Sequence, residues 1–194
     1  MTVAQLKSHT VVPDHRSAFE KRGASPTAIY KRVLLKLSGS ALAGPDQLGL
    51  HAESVDYIAR EIIAVRDRGV EVVVMVGGGN IFRGKLADVW NIDRAEADNV
   101  GIVSTVVNSL VLRGAVRSRS EHEVRVMTSI SMDVIAEPYI RLRAMHHLDK
   151  GFIVILAGGN GQPFVTTDYP AVQRAIELEC DAIFAAKLGR ECLR

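Results

Sequence analysis

Short apolar runs alternate with helix-like patterns from Tyr30 onward. Five runs are almost entirely apolar, and each predicts a buried strand: 33–37, 70–76, 124–127, 152–156 and 182–186. Between the first two, Val55, Ile58, Ile62 and Val65 recur at helical spacing. Buried strands that alternate with helices are typical of a parallel sheet covered on both faces. The pattern therefore predicts an α/β protein with three α/β/α layers and a mainly parallel sheet.

Local signals place three further helices. Asp98 heads an apolar helical pattern that runs to Leu110, and it is a good N-cap residue. Pro138 is predicted to open a helix that ends before Gly151, because proline is favoured in the first helical turn. Asp168 is predicted to cap the helix that precedes the last strand.

The first 29 residues differ from the rest of the chain. They are polar, lack sustained periodicity and contain Pro13, Gly23 and Pro26. We expect a flexible extension over 1–29 and one domain over 30–194.

Composition narrows the class of protein. Lys and Arg total 24 against 22 Asp and Glu, so the formal net charge is only +2 and a dedicated nucleic-acid binder is not expected. The 2 cysteines are too few for a disulfide scaffold, which favours a cytoplasmic protein. No apolar run approaches the roughly 20 residues of a membrane helix, and no leader segment is recognisable, so we expect no membrane association.

Glycine follows three of the predicted strands, at Ser38-Gly39, 77–79 and 158–161. The carboxyl ends of parallel strands share one edge of a sheet, where ligands bind. Glycine allows backbone to approach a ligand closely, and exposed N–H groups favour anions. Three such loops, with Lys36 and Arg83 nearby, predict a site for a phosphate-rich ligand.

Lys36 is the one charge inside the run 33–37, and it allows two interpretations. Its stem could cover apolar surface while its ammonium group reaches water. Alternatively, it delivers a cation beside the first glycine loop, where it would neutralise a transferring phosphoryl group.

Two common nucleotide-binding motifs fit poorly. The segment 79–86 has the glycine spacing of a Walker A loop, but Leu86 stands where Ser or Thr must bind magnesium, and no helix is evident from Lys85. A dinucleotide fold would need GxGxxG, which is absent, and an acid at the end of a second strand. Asp98 has the required distance from Gly79 but heads a helix instead.

The remaining polar candidates also have structural alternatives. Asp98 could be only an N-cap, and Thr166-Thr167-Asp168 could be only a helix cap, although hydroxyl and N–H groups there could also bind phosphate. His146 and His147 point about 100° apart on a helix and cannot share a metal ion. We predict no protein metal site, and Cys180 is expected to be a small core residue.

Three segments together resemble the bacterial UMP kinases of the amino-acid kinase superfamily. These segments are 30–39 (YKRVLLKLSG), 76–84 (VGGGNIFRG) and 163–168 (PFVTTD). The resemblance runs from about Tyr30 to Asp181, with the segments in the family's order and spacing. It implies transfer of a phosphoryl group from ATP to UMP, giving UDP in pyrimidine biosynthesis.

The resemblance also implies roles for individual positions. Lys36, Arg83 and Asp168 would be catalytic, and ATP would be bound by Lys36, Leu37, Ser38, Gly39, Gly79 and Arg83. UMP would be bound by Gly78, Asp98, Asn160, Gly161, Gln162, Pro163, Phe164, Val165, Thr166 and Thr167. Magnesium would accompany ATP, and the family implies a homo-oligomer, usually a hexamer, regulated by GTP and UTP.

The chain departs from the family pattern in three places. Ser40 stands where a glutamate is usual, and the loop 157–164 is longer than the common form. The family also continues well past a strand matching 182–186, so we expect the sheet to be incomplete there and the donor-nucleotide part to be largely missing. Two hypotheses follow: a UMP kinase, or a non-catalytic UMP- or UTP-binding fragment or regulatory subunit.

Overall fold

Six parallel strands form a single sheet at the centre of the protein. The computed structural model describes residues 28–186 except Gln47 and Gly84. The strands lie in the order β4-β3-β5-β2-β1-β6. Their bounds are β1 Arg32–Leu37, β2 Glu71–Val76, β3 Val124–Thr128, β4 Glu137–Pro138, β5 Ile153–Ala157 and β6 Ala182–Ala186.

Helices cover the two faces of this sheet, which confirms the predicted three-layer α/β/α class. They are α1 Ser40–Ala43, α2 Ala52–Asp67, α3 Lys85–Trp90, α4 Arg94–Arg117, α5 Arg141–Asp149 and α6 Asp168–Glu177. One core cluster joins α2 and α4 to one face, through residues such as Ile62, Val74 and Leu112. The other joins α5 and α6 to the opposite face, through Leu148 and Leu178 among others. Burial on both faces explains why β2 and β5 are continuously apolar apart from Glu71.

Two predictions concern parts of the chain outside residues 28–186. The expected flexible extension over 1–29 lies outside the described residues except for its last two positions. The segment that follows β6 also lies outside them.

One predicted helix start is replaced by a strand. Glu137 and Pro138 form the short edge strand β4, and α5 begins only at Arg141. Proline has no N–H to donate, and an edge strand tolerates that loss because its outer side needs no partner. The predicted end of this helix before Gly151 is correct, since α5 ends at Asp149.

The long helix α4 begins one turn earlier than the sequence indicates. Its N-cap is Asp93, whose Oδ1 accepts from the amide of Ala95 at 2.8 Å. The prediction that Asp98 heads this helix is therefore wrong. Asp98 lies in the second turn, and its carboxylate is available to other groups.

Asp168 was likewise expected to cap α6, but Thr167 occupies the N-cap position and no side-chain cap hydrogen bond forms there. Asp168 is the first helical residue, and its carboxylate binds Lys36 instead. The expectation that no helix begins at Lys85 is wrong, because α3 begins there. The other argument against a Walker A loop is unchanged, since Leu86 has no hydroxyl group to bind magnesium.

Helix α4 is, within the described residues, the one helix long and apolar enough to cross a membrane by length and composition. Its buried face carries Ser104, Thr105, Asn108 and Ser109, and it packs on α2, β3 and β5. A helix that packs one face on the sheet and on α2 accounts for this composition. The expected absence of membrane association stays a prediction.

Strand β6 is less well covered than the rest of the sheet. In the described residues it pairs only with β1, and Ile183 and Phe184 are 39% and 47% exposed. The ring of Phe184 contacts Tyr30 edge-to-face, with 5.8 Å between centroids. The expectation of a sheet covered on both faces therefore does not hold at this edge of the described sheet.

Candidate functional site

A cleft of about 450 Å³ lies at the carboxyl ends of the strands. It is bounded by the loops after β1, β2 and β5 and by the first half of α4. The three predicted glycine loops thus meet at one edge of the sheet. Of the residues proposed for ligand binding, eleven line the cleft: Ser38, Gly78, Gly79, Arg83, Asp98, Asn160, Gln162, Phe164, Val165, Thr166 and Thr167.

The other proposed residues lie beside this lining. Five of them are next in sequence to a residue that lines the cleft: Leu37, Gly39, Gly161, Pro163 and Asp168. The sixth, Lys36, lies inside β1 and is ion-paired to Asp168. The Leu37 side chain is buried in the core on the α2 and α4 face. Only the Leu37 backbone is therefore available to a ligand.

Lys36 is held in an ion pair at the edge of the cleft. Its side chain is 7% exposed, and Nζ lies 2.7 Å from Oδ1 of Asp168, which is 59% exposed. β1 places Lys36 on the same face as Leu34, and that face packs against α6. The alternative of a lysine extending to bulk water does not fit this geometry. The ammonium group instead lies at the start of α6, where Asp168 pairs with it.

The first two glycine loops are in close backbone contact. A Cβ atom at Gly39 would lie 2.5 Å from Oδ1 of Asn80 and 2.8 Å from the amide nitrogen of Gly79. Beside Gly39, the hydroxyl groups of Ser38 and Ser40 are 2.7 Å apart. Ser40 also lines the cleft, so it contributes a hydroxyl group to the cleft wall.

Asp98 joins α4 to the loop after β5. Its Oδ1 accepts from Nε of Arg94 at 3.0 Å, and its Oδ2 accepts from the amide of Phe164 at 2.8 Å. The carboxylate is half-buried and lines the cleft. The second contact fixes the position of the 160–167 loop, in which Phe164 has a φ of 63° and a largely exposed ring.

Arg83 lies at the rim of the cleft. Its Nε donates to the carbonyl of Gly79 at 2.8 Å, which turns the side chain back over the second glycine loop. This places a cation beside the backbone that was predicted to bind phosphate.

Sequence reasoning missed several cleft residues on and beside α4. Phe82, Arg94, Ala97, Gly101, Ile102 and Thr105 all line the cleft. Asn80 and Asn108, both fully buried, lie directly behind it. A signal was available, because polar residues interrupt the apolar pattern of α4 at Ser104, Thr105, Asn108 and Ser109.

Cys180 lies away from this site and packs against the α5 and α6 core. Burial raises the pKa of its thiol to about 12, so it stays protonated at neutral pH. Cys180 is half-buried at the margin of this core, so the prediction of a core residue holds in part.

Glycine loops at the carboxyl edge of a parallel sheet, beside a lysine–aspartate pair, are typical of α/β proteins that bind phosphate-containing ligands. The chain belongs to the amino acid kinase family, whose family model matches residues 31–187.

Individual relatives agree with this assignment. The chain is similar to the uridylate kinase of Frankia casuarinae, at 60% identity over 160 residues that make up 82% of this chain and 62% of that protein. It is similar to the uridylate kinase of Frankia alni, at 59% identity over 84% of this chain and 63% of that protein. The chain thus spans less than two thirds of the length of these curated relatives.

Solved structures give the same fold. The UMP kinase from Bacillus anthracis superposes with a TM-score of 0.80 at 61% identity, over 82% of this chain and 66% of that one. The UMP kinase from Ureaplasma parvum superposes with a TM-score of 0.77 at 30% identity, over 82% of this chain and 67% of that one.

Proposed function

We propose that this chain is a UMP kinase, which transfers the γ-phosphoryl group of ATP to the phosphate of UMP to give UDP. The observation that carries the proposal is the cleft itself, where three glycine loops meet beside the Lys36–Asp168 pair. The two Frankia uridylate kinases and the two UMP kinase structures support the same activity.

In this mechanism, catalysis consists of positioning and charge stabilisation. The transferring phosphoryl group carries its charge on equatorial oxygens, so a fixed cation lowers the barrier more than a mobile one. Asp168 would hold the Lys36 ammonium group in place, and Arg83 would supply a second cation from the rim. The backbone of 36–39 and 77–79 would contact the phosphates.

UMP would occupy the side of the cleft between α4 and the loop after β5. Asp98 would accept hydrogen bonds from the ribose hydroxyl groups, because a carboxylate is a strong acceptor with spare lone pairs. The 160–167 loop, which Asp98 already holds through Phe164, would surround the base and the acceptor phosphate.

Magnesium would enter with ATP. Among the described residues, no three carboxylate, imidazole or thiol groups gather closely enough to hold a metal ion. The ion would therefore be bound mainly by the ATP phosphates, as is usual for magnesium at nucleotide sites.

One observation favours a second candidate function, a non-catalytic protein that binds UMP or UTP. Strand β6 pairs only with β1 among the described residues and exposes Ile183 and Phe184, which is an apolar surface that a second chain would cover. Such a protein would recognise the acceptor nucleotide without transferring phosphate.

The two candidates are separated by measuring turnover and binding on the same preparation. A UMP kinase is expected to release ADP from Mg·ATP only when UMP is present, in a coupled assay. Lys36→Met, which removes the cation, should lower that rate at least about 100-fold. UMP binding without any UMP-dependent ADP release would favour the second candidate, and failure to bind UMP at all would contradict both.

Asp98→Asn tests the placement of the ribose. It is expected to weaken UMP binding about tenfold in isothermal titration calorimetry, because the amide accepts more weakly and loses the charge that strengthens the ribose bonds. Asp93→Asn is the matched control, since asparagine caps a helix as well as aspartate does and Asp93 lies outside the cleft lining. The analogue 2′,3′-dideoxy-UMP lacks the ribose hydroxyl groups. If Asp98→Asn weakens binding of this analogue as much as it weakens binding of UMP, Asp98 does not act through those hydroxyl groups.

We also propose a cytoplasmic homo-oligomer, with GTP and UTP as regulators. Support for assembly comes from four valines at helical spacing on the outer face of α4: Val100, Val103, Val107 and Val111, each 37% to 44% exposed. An exposed apolar stripe of this kind is typical of a surface that packs against another chain. Cytoplasmic location and nucleotide regulation rest on the resemblance to the family.

A further inference from the structure

Helix α4 turns an unusual polar face toward the sheet, directly behind the cleft. Ser104, Thr105, Asn108 and Ser109 are all at most 3% exposed. Two of them bond only within the helix, since the Ser104 hydroxyl donates to Val100 and the Ser109 hydroxyl donates to Thr105. Thr105 and Asn108 also bond to groups outside α4.

Asn108 binds the second glycine loop through a closed pair of amides. Its Nδ2 donates to the carbonyl of Gly77 and to Oδ1 of Asn80, both at 2.7 Å. Asn80 Nδ2 donates in return to Oδ1 of Asn108 at 3.1 Å and to the carbonyl of Gly49 at 2.7 Å. Each amide therefore uses both of its N–H groups, so the pair is fully satisfied although it is buried.

Thr105 binds the third glycine loop from one turn earlier on the same helix. Its Oγ1 accepts from the amide of Gly158 at 2.7 Å and donates to the carbonyl of Ile102 at 2.6 Å. The second bond fixes the hydroxyl rotor, so a lone pair of Oγ1 points toward Gly158. A Cβ atom at Gly158 would lie 2.9 Å from Oγ1 of Thr128, so this loop also lies close to the end of β3.

The two loops held in this way follow β2 and β5, which pair directly with each other. The hydrogen bonds between β2 and β5 set the relative position of these two strands. The glycine loops lie beyond the last of these bonds, so the pairing of β2 with β5 does not hold them. The side-chain hydrogen bonds of Thr105 and Asn108 hold the two loops beyond the point where this pairing ends. Because a phosphate is bound by several N–H groups at once, a small rotation of either loop would break part of the set.

We propose that Thr105 and Asn108 are positioning residues, through which α4 fixes the two glycine loops relative to each other for phosphate binding. The ligand in this inference rests on the proposed function, whereas the mechanical link between α4 and the loops does not. The link predicts that loss of either side chain loosens its own loop and selectively reduces the recognition of phosphate.

Amide hydrogen exchange measured by NMR tests the mechanical link without any ligand. Thr105→Val keeps the side-chain shape but removes the acceptor, so the Gly158 amide is expected to exchange at least about tenfold faster. Thr105→Ser should restore the slow exchange. Ser109→Ala is the matched control, because it also removes a buried hydroxyl group from α4. The Ser109 hydroxyl donates only to the carbonyl of Thr105 in the same helix and binds to neither loop.

Affinities for UMP and uridine test the consequence for phosphate. In Thr105→Val and Asn108→Ala, the ratio of UMP affinity to uridine affinity is expected to fall about tenfold, while Ser109→Ala leaves it unchanged. A residue that only stabilises the fold would weaken both ligands equally and leave the ratio intact. Thr105→Val provides the result even if Asn108→Ala does not fold.

Two results would overturn the inference: unchanged exchange at Gly158 in Thr105→Val, or an unchanged affinity ratio in a variant whose loop exchange has increased. If the unmodified protein binds neither UMP nor uridine, the proposed function fails. In that case, exchange of the Gly158 amide still tests whether α4 holds the loops.

Discussion

Gly78→Ala is expected to destabilise the protein by about 3 kcal/mol and to abolish detectable UMP binding. A Cβ atom at Gly78 would lie 2.4 Å from the carbonyl oxygen of Gly101 and 2.9 Å from Cβ of Ser104. Both neighbours belong to the body of α4, which cannot yield as the end of a flexible side chain would. Either α4 or the second glycine loop must shift, and overpacking of this kind costs about 1–3 kcal/mol. Thermal unfolding should show a decrease in Tm of about 10 °C.

Gly114→Ala is the matched control on α4. No atom lies within 4 Å of the Cβ position at Gly114, and the residue is in the interior of the helix. Alanine there is expected to stabilise the protein by up to about 1 kcal/mol, because it restricts the unfolded chain and favours the helix. A Gly78→Ala protein with an unchanged Tm and normal UMP binding would show that α4 and this loop are not in close contact.

Asp168→Ala is expected to lower the free energy of unfolding by about 2 kcal/mol, whereas Lys36→Met should lower it by less than about 1 kcal/mol. Removing Asp168 leaves a buried ammonium group without the carboxylate 2.7 Å away, and no second ion pair to Lys36 is present among the described residues. The cost is smaller than for a fully buried pair because Asp168 is 59% exposed. Removing Lys36 leaves a carboxylate that is in contact with water and in the first turn of α6, where negative charge is favourable.

The double variant Lys36→Met/Asp168→Ala provides the internal check, measured by urea unfolding. It is expected to be more stable than Asp168→Ala, because the unpaired buried charge is gone. If Asp168→Ala and Lys36→Met cost the same, or if the double variant is the least stable of the three, the charge of Lys36 is solvated rather than held by Asp168.

The main elements of the fold could be predicted from sequence because strands buried on both faces are apolar throughout. The run Ala182–Ala186 was predicted with the bounds of β6, and the others were within one or two residues. Strand β4 was missed because two residues carry no periodic pattern. Its pairing with β3 depends on where the loop after β3 returns to the sheet.

Helix starts were the least predictable features. Asp93, Asp98 and Asp168 are all chemically able to cap a helix, so the sequence alone could not tell which aspartate does so. Asp93 caps α4, whereas Asp98 accepts from Phe164 and Asp168 binds Lys36. The two aspartates that do not cap are both bonded to residues more than 60 positions away in sequence.

The sequence by itself determined that three glycine loops would meet at one edge of a parallel sheet, because the period of the strands and the direction of their connections require it. It also singled out Lys36, Arg83 and Asp168 as charged residues near that edge. Only the tertiary structure decided which groups hold the loops in place. Thr105 accepts a hydrogen bond from the amide of Gly158, and Asn108 donates one to the carbonyl of Gly77. Those contacts depend on the rotation of a helix against a sheet, which is set by packing across the whole core rather than by any local pattern.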